Sequence, residues 1–221
     1  MKPRRMVQVF TDKYPFVGPI VWLLSTQYFI IQFTVAQAWP HAYDWATNLI
    51  SDLGNTMCGQ YADRYVCSPQ HGVMNASFIV LGTTMAIGSW LIYQMFEKTK
   101  GSLVGFSLMA LSGVGTVLVG AFPENTVPFM HGIGAFLALV VGNVSLVVLA
   151  ASLEKVRPGF RYYTAISGTL SLLAFILFTG DVTFGLGRGG MERLVSYPQT
   201  VWLILFGVYM SAVRMRARRR S

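Results

Sequence analysis

PFMHGIGAFLALVVGNVSLVVLAAS, residues 128–152, runs for twenty-five positions without one Asp, Glu, Lys or Arg. A helix needs roughly 20 largely apolar residues to cross the hydrocarbon layer of a bilayer, so this stretch reads as a membrane span. Working outward, five further runs of the same kind lie at 14–38, 73–96, 102–121, 162–180 and 198–213. The chain of 221 residues is 53% hydrophobic and 12% charged, with a mean hydropathy of +0.51. That composition excludes an ordinary soluble domain and gives one all-α integral membrane domain over 1–221, with six transmembrane helices.

The charges divide along the same boundaries. Fourteen of the seventeen Lys and Arg fall in 1–13, 97–101, 154–161 and 214–221, and only Arg64, Arg188 and Arg193 fall in the alternate loops. Short cytoplasmic loops retain Lys and Arg, so the basic segments mark the inside and both termini are expected to be cytoplasmic. A multi-pass protein of the cell membrane follows, in a bacterial inner membrane. The basic residues are split over four short juxtamembrane stretches with no aromatic platform between them, which argues against a nucleic-acid partner. Membrane lipids are the expected partners, with the tail from Arg214 lying against anionic headgroups. Residues 2–5 and the apolar run after them imitate a signal peptide, but the run is longer than such a region and holds Gln27 and Gln32, so it reads as an uncleaved first span.

The alternate, outward loops hold six of the nine acids (Asp44, Asp52, Asp63, Glu124, Asp181, Glu192) and all three histidines (His41, His71, His131). The first of these loops, 39–72, is the longest. It contains both cysteines, and an outer loop facing an oxidising compartment predicts a Cys58–Cys67 disulfide. In 43–54 the residues Trp45, Leu49 and Leu53 recur every four positions, which predicts an amphipathic helix lying on the membrane surface with Asp44, Asn48, Ser51 and Asp52 turned to water or to the bundle mouth. GLGRGG at 185–190 has no strand before it and reads as a flexible lid between two spans. Ser112, Gly113, Gly115, Gly120, Gly132, Gly134 and Ala135 predict close packing of spans three and four.

The ends of the outward helices carry a ring of reactive side chains: Asp52, His71, Asn75, Glu124, His131, Asp181, Arg188, Glu192, Arg193 and Tyr197. Polar groups at a membrane border are costly unless paired, hydrated or functional. The segments NLISDLG (48–54), CSPQHGVMN (67–75), FPE (122–124), His131-Gly132 and ERLVSYP (192–198) resemble the bacterial and archaeal membrane family known as domain of unknown function 998. The resemblance covers most of the chain, from the first outward loop to the last span, and implies a multi-span membrane fold with no activity attached.

Two readings of the ring stand side by side. In one it is an active site for hydrolysis or transfer on a lipid-like substrate, with Asp52, His71, Glu124 and His131 catalytic, and with Ser51, Asn75, Arg188, Glu192, Arg193 and Tyr197 binding substrate. His71 and His131 with Asp52, or with Glu124 or Asp181 in its place, would then form a zinc-binding set, and a bis-histidine haem is the other cofactor those two residues suggest. In the other the ring is a hydrogen-bonded structural lock, and the protein is an accessory or scaffold subunit for a membrane-protein partner or a lipid. The span interiors carry no charge at mid-depth, which gives a carrier or channel no support.

Overall fold

The computed structural model describes residues 13–96, 98–154 and 156–219; most of the basic N-terminal segment, including the signal-like residues 2–5, lies outside them. Six helical stretches are long and apolar enough to cross a membrane: Val17–Gln37, His71–Tyr93, Lys100–Ala121, Pro128–Ser152, Pro158–Thr179 and Gly187–Arg218. Large apolar side chains such as Ile30, Val80, Ile87, Leu111, Phe136, Leu170, Ile176 and Val208 point outward. This is the all-round apolar surface of helices in lipid.

Inside, the bundle is held by small residues and by satisfied polar groups. A Cβ on Gly115 would lie 2.7 Å from the Gly134 carbonyl, and one on Gly134 would lie 2.8 Å from the Gly115 carbonyl, so spans three and four touch backbone to backbone. Gly113 and Gly120 instead face span two, against Gly82 and Asn75, and Gly132 has open space beside it. The small-residue stripe of span three therefore serves two neighbours. Span five buries Thr164, Ser167, Gly168, Ser171 and Ala174 and turns Ile166, Leu170, Leu173 and Ile176 outward. At the centre Trp22, Trp202 and Phe206 meet edge to face or stacked, with centroids 4.8–5.6 Å apart. The indole N–H of Trp22 donates to the Met85 carbonyl at 3.3 Å and that of Trp202 to Thr164 at 2.8 Å.

Three irregularities interrupt the spans. Span one breaks between Leu23 and Thr26. Span four widens into a π turn over Leu137–Val141, where the Ala138 carbonyl accepts from Ser112 Oγ at 3.0 Å. Span six contains Pro198, whose missing N–H would leave the Leu194 carbonyl unpaired; Ser171 Oγ of span five donates to it at 3.3 Å. Span six accordingly begins at Gly187, eleven residues before the boundary that Pro198 suggests in the sequence.

The first long loop departs from its expected form. Residues 43–50 are turns and irregular backbone, and Ser51–Gly54 is a single 3-10 turn, so the amphipathic surface helix is absent. Of its four-residue series only Leu53 is buried, Trp45 and Leu49 being half-buried, while Asn48, Ile50 and Asp52, which lie off the series, are buried as well. An antiparallel hairpin follows, Cys58–Tyr61 paired with Arg64–Cys67, and a disulfide joins the opposed Cys58 and Cys67. Residues 185–190 are likewise not a lid. Gly187 opens span six at φ +72°, the Gly189 and Gly190 amides donate to the Ala46 carbonyl, and a Cβ on Gly189 would collide with the Asn48 backbone.

These contacts separate two glycines of span four. Gly134→Val is expected to lower the melting temperature of the detergent-purified protein, through overpacking of about 1–3 kcal/mol. Gly132→Val is expected to leave it unchanged, and differential scanning fluorimetry on both variants checks the pair.

Candidate functional site

The loop of residues 43–68 lies over one end of the bundle because its polar groups find partners there. Asp52 is fully buried. Arg64, carried on the second hairpin strand, grips it with two parallel bonds, Nε to Oδ2 at 2.7 Å and Nη2 to Oδ1 at 2.7 Å. The Leu49 amide donates to Oδ2 at 2.7 Å and Asn48 Nδ2 reaches the same oxygen at 3.4 Å. Glu124, in the loop after span three, lies 3.9 Å from Arg64 and accepts from Asn55 Nδ2 at 2.8 Å. Tyr61 Oη donates to the Glu124 backbone carbonyl at 3.1 Å.

Two carboxylates thus share one guanidinium. Burial pushes the Glu124 carboxyl up to about 8, and the charge of Asp52 and a hydrogen bond to it that needs the proton add to this, while Asn55 and Arg64 oppose it. Glu124 is therefore the proton-holding member of the group at neutral pH.

A second constellation sits beside the first. His131, one turn into span four, places Nδ1 2.9 Å from the Phe122 carbonyl oxygen and Nε2 3.2 Å from Ser51 Oγ. A carbonyl only accepts, so Nδ1 carries the proton and Nε2 presents its lone pair to Ser51. Ser51 Oγ also lies 3.1 Å from Glu192 Oε1, and Glu192 Oε2 accepts the Ile50 amide. The Ser51 hydroxyl therefore has one proton and two acceptors. When Glu192 holds a proton it can donate to Ser51 Oγ, which directs the hydroxyl proton to His131.

Beneath Ser51 and Glu192 a cavity of about 60 Å³ enters the bundle between spans one, two, three, four and six. Phe78, Leu81, Met85, Val119, Ala138 and Leu139 line its apolar side, and Tyr28, Thr116, Ser196, Gln199 and Thr200 its polar side. Ala138 and Leu139 belong to the π turn, so the widened backbone forms part of the wall.

The other residues of the expected ring have separate places. Arg193 is buried and donates through Nη1 to the carbonyls of Trp45 at 3.0 Å, Asn48 at 2.9 Å and Gly189 at 2.8 Å, and through Nη2 to Tyr43 Oη. It also lies over the Trp45 ring, 4.8 Å from the centroid. Asn75 donates to the Gly54 carbonyl at 2.8 Å and Tyr197 to Gln32 Oε1 at 2.8 Å, so both join elements of the bundle. Arg188 pairs with Asp181 at 2.6 Å on the exposed rim. His71 opens span two, and its Nδ1 has no hydrogen-bond partner among the described residues.

His71, His131 and Asp52 are not brought together as a zinc-binding set. Among the described residues no three His, Cys, Asp or Glu side chains gather into a group able to hold a metal ion. Asp52 has both oxygens on Arg64, and both ring nitrogens of His131 are engaged, which leaves neither an open ligand for zinc or haem. Arg64 is the residue the sequence reading passed over. Its signal was present, since it is one of only three basic residues in the acidic loops. Asn55 and Tyr43 carried no such signal, because each is an ordinary loop residue until the loop folds inward, and Asn48 stood out only as one polar residue of the expected surface helix.

Removing Arg64 leaves a buried charge unpaired, so Arg64→Ala is expected to cost about 3–5 kcal/mol of stability and Arg64→Lys less, without the two-point grip. Glu124 gives a pH signature of known sign. Its folded pKa of about 8 exceeds the usual carboxylate value, so the folded state holds a proton that the unfolded chain releases, and its contribution to stability falls as pH rises from the ordinary carboxylate range to about 8. Thermal melts across that window should show the wild type losing stability relative to Glu124→Gln as pH rises toward about 8, with a constant offset between the two at the acid end; equal slopes throughout would refute the assignment.

Neither the curated proteins nor the solved structures yield a match to this chain. Residues 23–209, from the first span to the last, match the family described as "protein of unknown function (DUF998)", and the chain belongs to that family.

Proposed function

We propose that the polar end of the bundle faces outside, with the basic end cytoplasmic, and that it is an acyl-hydrolase or acyl-transferase site for a lipid-like substrate. The observation that carries this reading is the contact of Ser51 Oγ with His131 Nε2 at 3.2 Å, with the ring's other nitrogen fixed by the Phe122 carbonyl, at the mouth of a largely apolar cavity. A nucleophile, a base and a group that orients the base is the general pattern of activated-serine chemistry. Ser51 attacks the substrate carbonyl carbon while its proton passes to His131 Nε2. Collapse of the tetrahedral adduct breaks the bond to the leaving oxygen, which takes that proton, and water repeats the cycle on the acyl-serine. Glu192, holding a proton, positions Ser51 by donating to its Oγ, and its other oxygen accepts the adjoining Ile50 amide. Asp52, Arg64, Glu124 and Arg193 then belong to the scaffold under the site.

The lock reading is favoured by one observation of its own, that both oxygens of Asp52 and both terminal nitrogens of Arg193 are engaged by internal partners. On that reading the protein is an accessory or scaffold subunit. A serine-directed fluorophosphonate separates the two without a known substrate. The catalytic reading expects the wild type to be labelled at Ser51, Ser51→Ala to be unlabelled while melting normally, and His131→Gln to lose labelling by roughly 10³-fold or more. A folded wild type that resists labelling, or is labelled equally at other serines, would overturn it in favour of the lock.

A further inference from the structure

Whatever enters the cavity beneath Ser51 meets a polar wall whose donors are largely spent inside the protein. Thr116 Oγ1 donates to the Ser112 carbonyl at 3.0 Å. Gln199 Nε2 donates to Ser112 Oγ at 2.9 Å and faces the Met109 sulfur at 3.8 Å. The same amide is turned towards Gly142, where a Cβ would lie 2.3 Å from Gln199 Oε1. Tyr28 Oη and Ser196 Oγ lie 3.4 Å apart and share one hydrogen bond. A cluster of waters would find few free partners there, and an apolar group loses little beside groups that are already paired.

Size narrows the occupant further. At about 60 Å³ the space takes roughly two groups the size of a water molecule or a methylene. Met85 and Thr116 are the innermost lining residues of spans two and three, and the Met85 sulfur lies 3.8 Å from Thr116 Oγ1, so the cavity ends at that contact. A long fatty chain would overrun it. A short hydrocarbon tail matches both the walls and the length.

We propose that this cavity is an acyl pocket and that the site takes a short acyl group of about two to four carbons, its carbonyl carbon at Ser51 Oγ and its tail between Leu81, Met85 and Ala138. The proposal rests on the catalytic reading of Ser51 and His131 and deepens it: the lipid-like part of the substrate is the leaving alcohol, which stays outside the cavity. Ser51 Oγ forms the new ester bond, the bond from the carbonyl carbon to the substrate's alkoxy oxygen breaks, and the alcohol leaves with the proton that His131 Nε2 took from Ser51. Water then releases the short acid from the serine.

Hydrolysis of p-nitrophenyl acetate, butyrate and decanoate by the full chain in detergent tests it, each rate corrected for that of Ser51→Ala. The expected result is a Ser51-dependent kcat/KM roughly tenfold or more higher for butyrate than for decanoate. Met85→Ala, which lengthens the cavity, should lower that ratio, and Ala138→Val, which narrows it, should shift the preference from butyrate towards acetate. Ala138→Val alone supplies the comparison if Met85→Ala melts early. Ser51-dependent turnover of decanoate as fast as that of butyrate, or unchanged preferences in folded variants, would overturn the short-acyl assignment and leave Ser51 standing as the nucleophile. No Ser51-dependent turnover of any of the three esters would instead overturn the catalytic reading, and this assignment with it.

Discussion

The carboxylate of Asp52 has no surface open to solvent, and a charge in that position must be neutralised or fully paired. It meets four donors: two from Arg64, the Leu49 amide and Asn48. Much of the polar end depends on that arrangement. Leu49 and Asn48 belong to the same turn as Asp52, so pairing the carboxylate shapes the backbone that holds Ser51. Arg64 arrives on a hairpin closed by the Cys58–Cys67 disulfide, so the clamp and its support are one unit. From the other side Arg193 ties the Trp45 and Asn48 carbonyls to span six, and Gly189 lets the two backbones approach. Ser51 then has little freedom in where it meets His131 and Glu192.

The same accounting extends into the spans. In a bilayer no water satisfies a backbone group exposed by a proline or a widened turn. The Leu194 carbonyl that Pro198 leaves open is taken by Ser171, and the Ala138 carbonyl at the π turn by Ser112. Span five puts its hydroxyls and glycine inward and its large apolar side chains outward, the reverse of a water-soluble helix. The hydroxyls inside the bundle therefore have structural work near the cavity as well as beside it. This is why a polar wall of Thr116, Gln199 and Thr200 can stand within the membrane beside an apolar one.

The six spans, the family and the disulfide were legible in the sequence because each rests on a local signal: length of apolar run, motif, or paired cysteines in one loop. The start of span six was not, because Pro198 signals a helix start locally and only Ser171, twenty-seven positions away, makes it acceptable mid-helix. The form of residues 43–54 was misread for a similar reason. A four-residue period in Trp45, Leu49 and Leu53 fits a surface helix, and nothing local reports that Asp52 will be drawn inward by an arginine twelve residues later. Of the site residues, His131, Glu192 and Glu124 announced themselves as titratable groups at helix ends. Ser51 stood out only through its neighbour Asp52, and its contact with His131 spans eighty positions that no spacing rule connects.

The central claim is that residues 48–55 are a fixed part of the bundle, held by Asp52, and not a surface loop. Hydrogen–deuterium exchange on the wild-type protein in nanodiscs tests it most directly. The account predicts that the Leu49, Ile50 and Asp52 amides exchange as slowly as those in the spans, since each has a buried acceptor. Exchange of this segment at the rate of an open loop would contradict it, and with it the placement of Ser51 against His131.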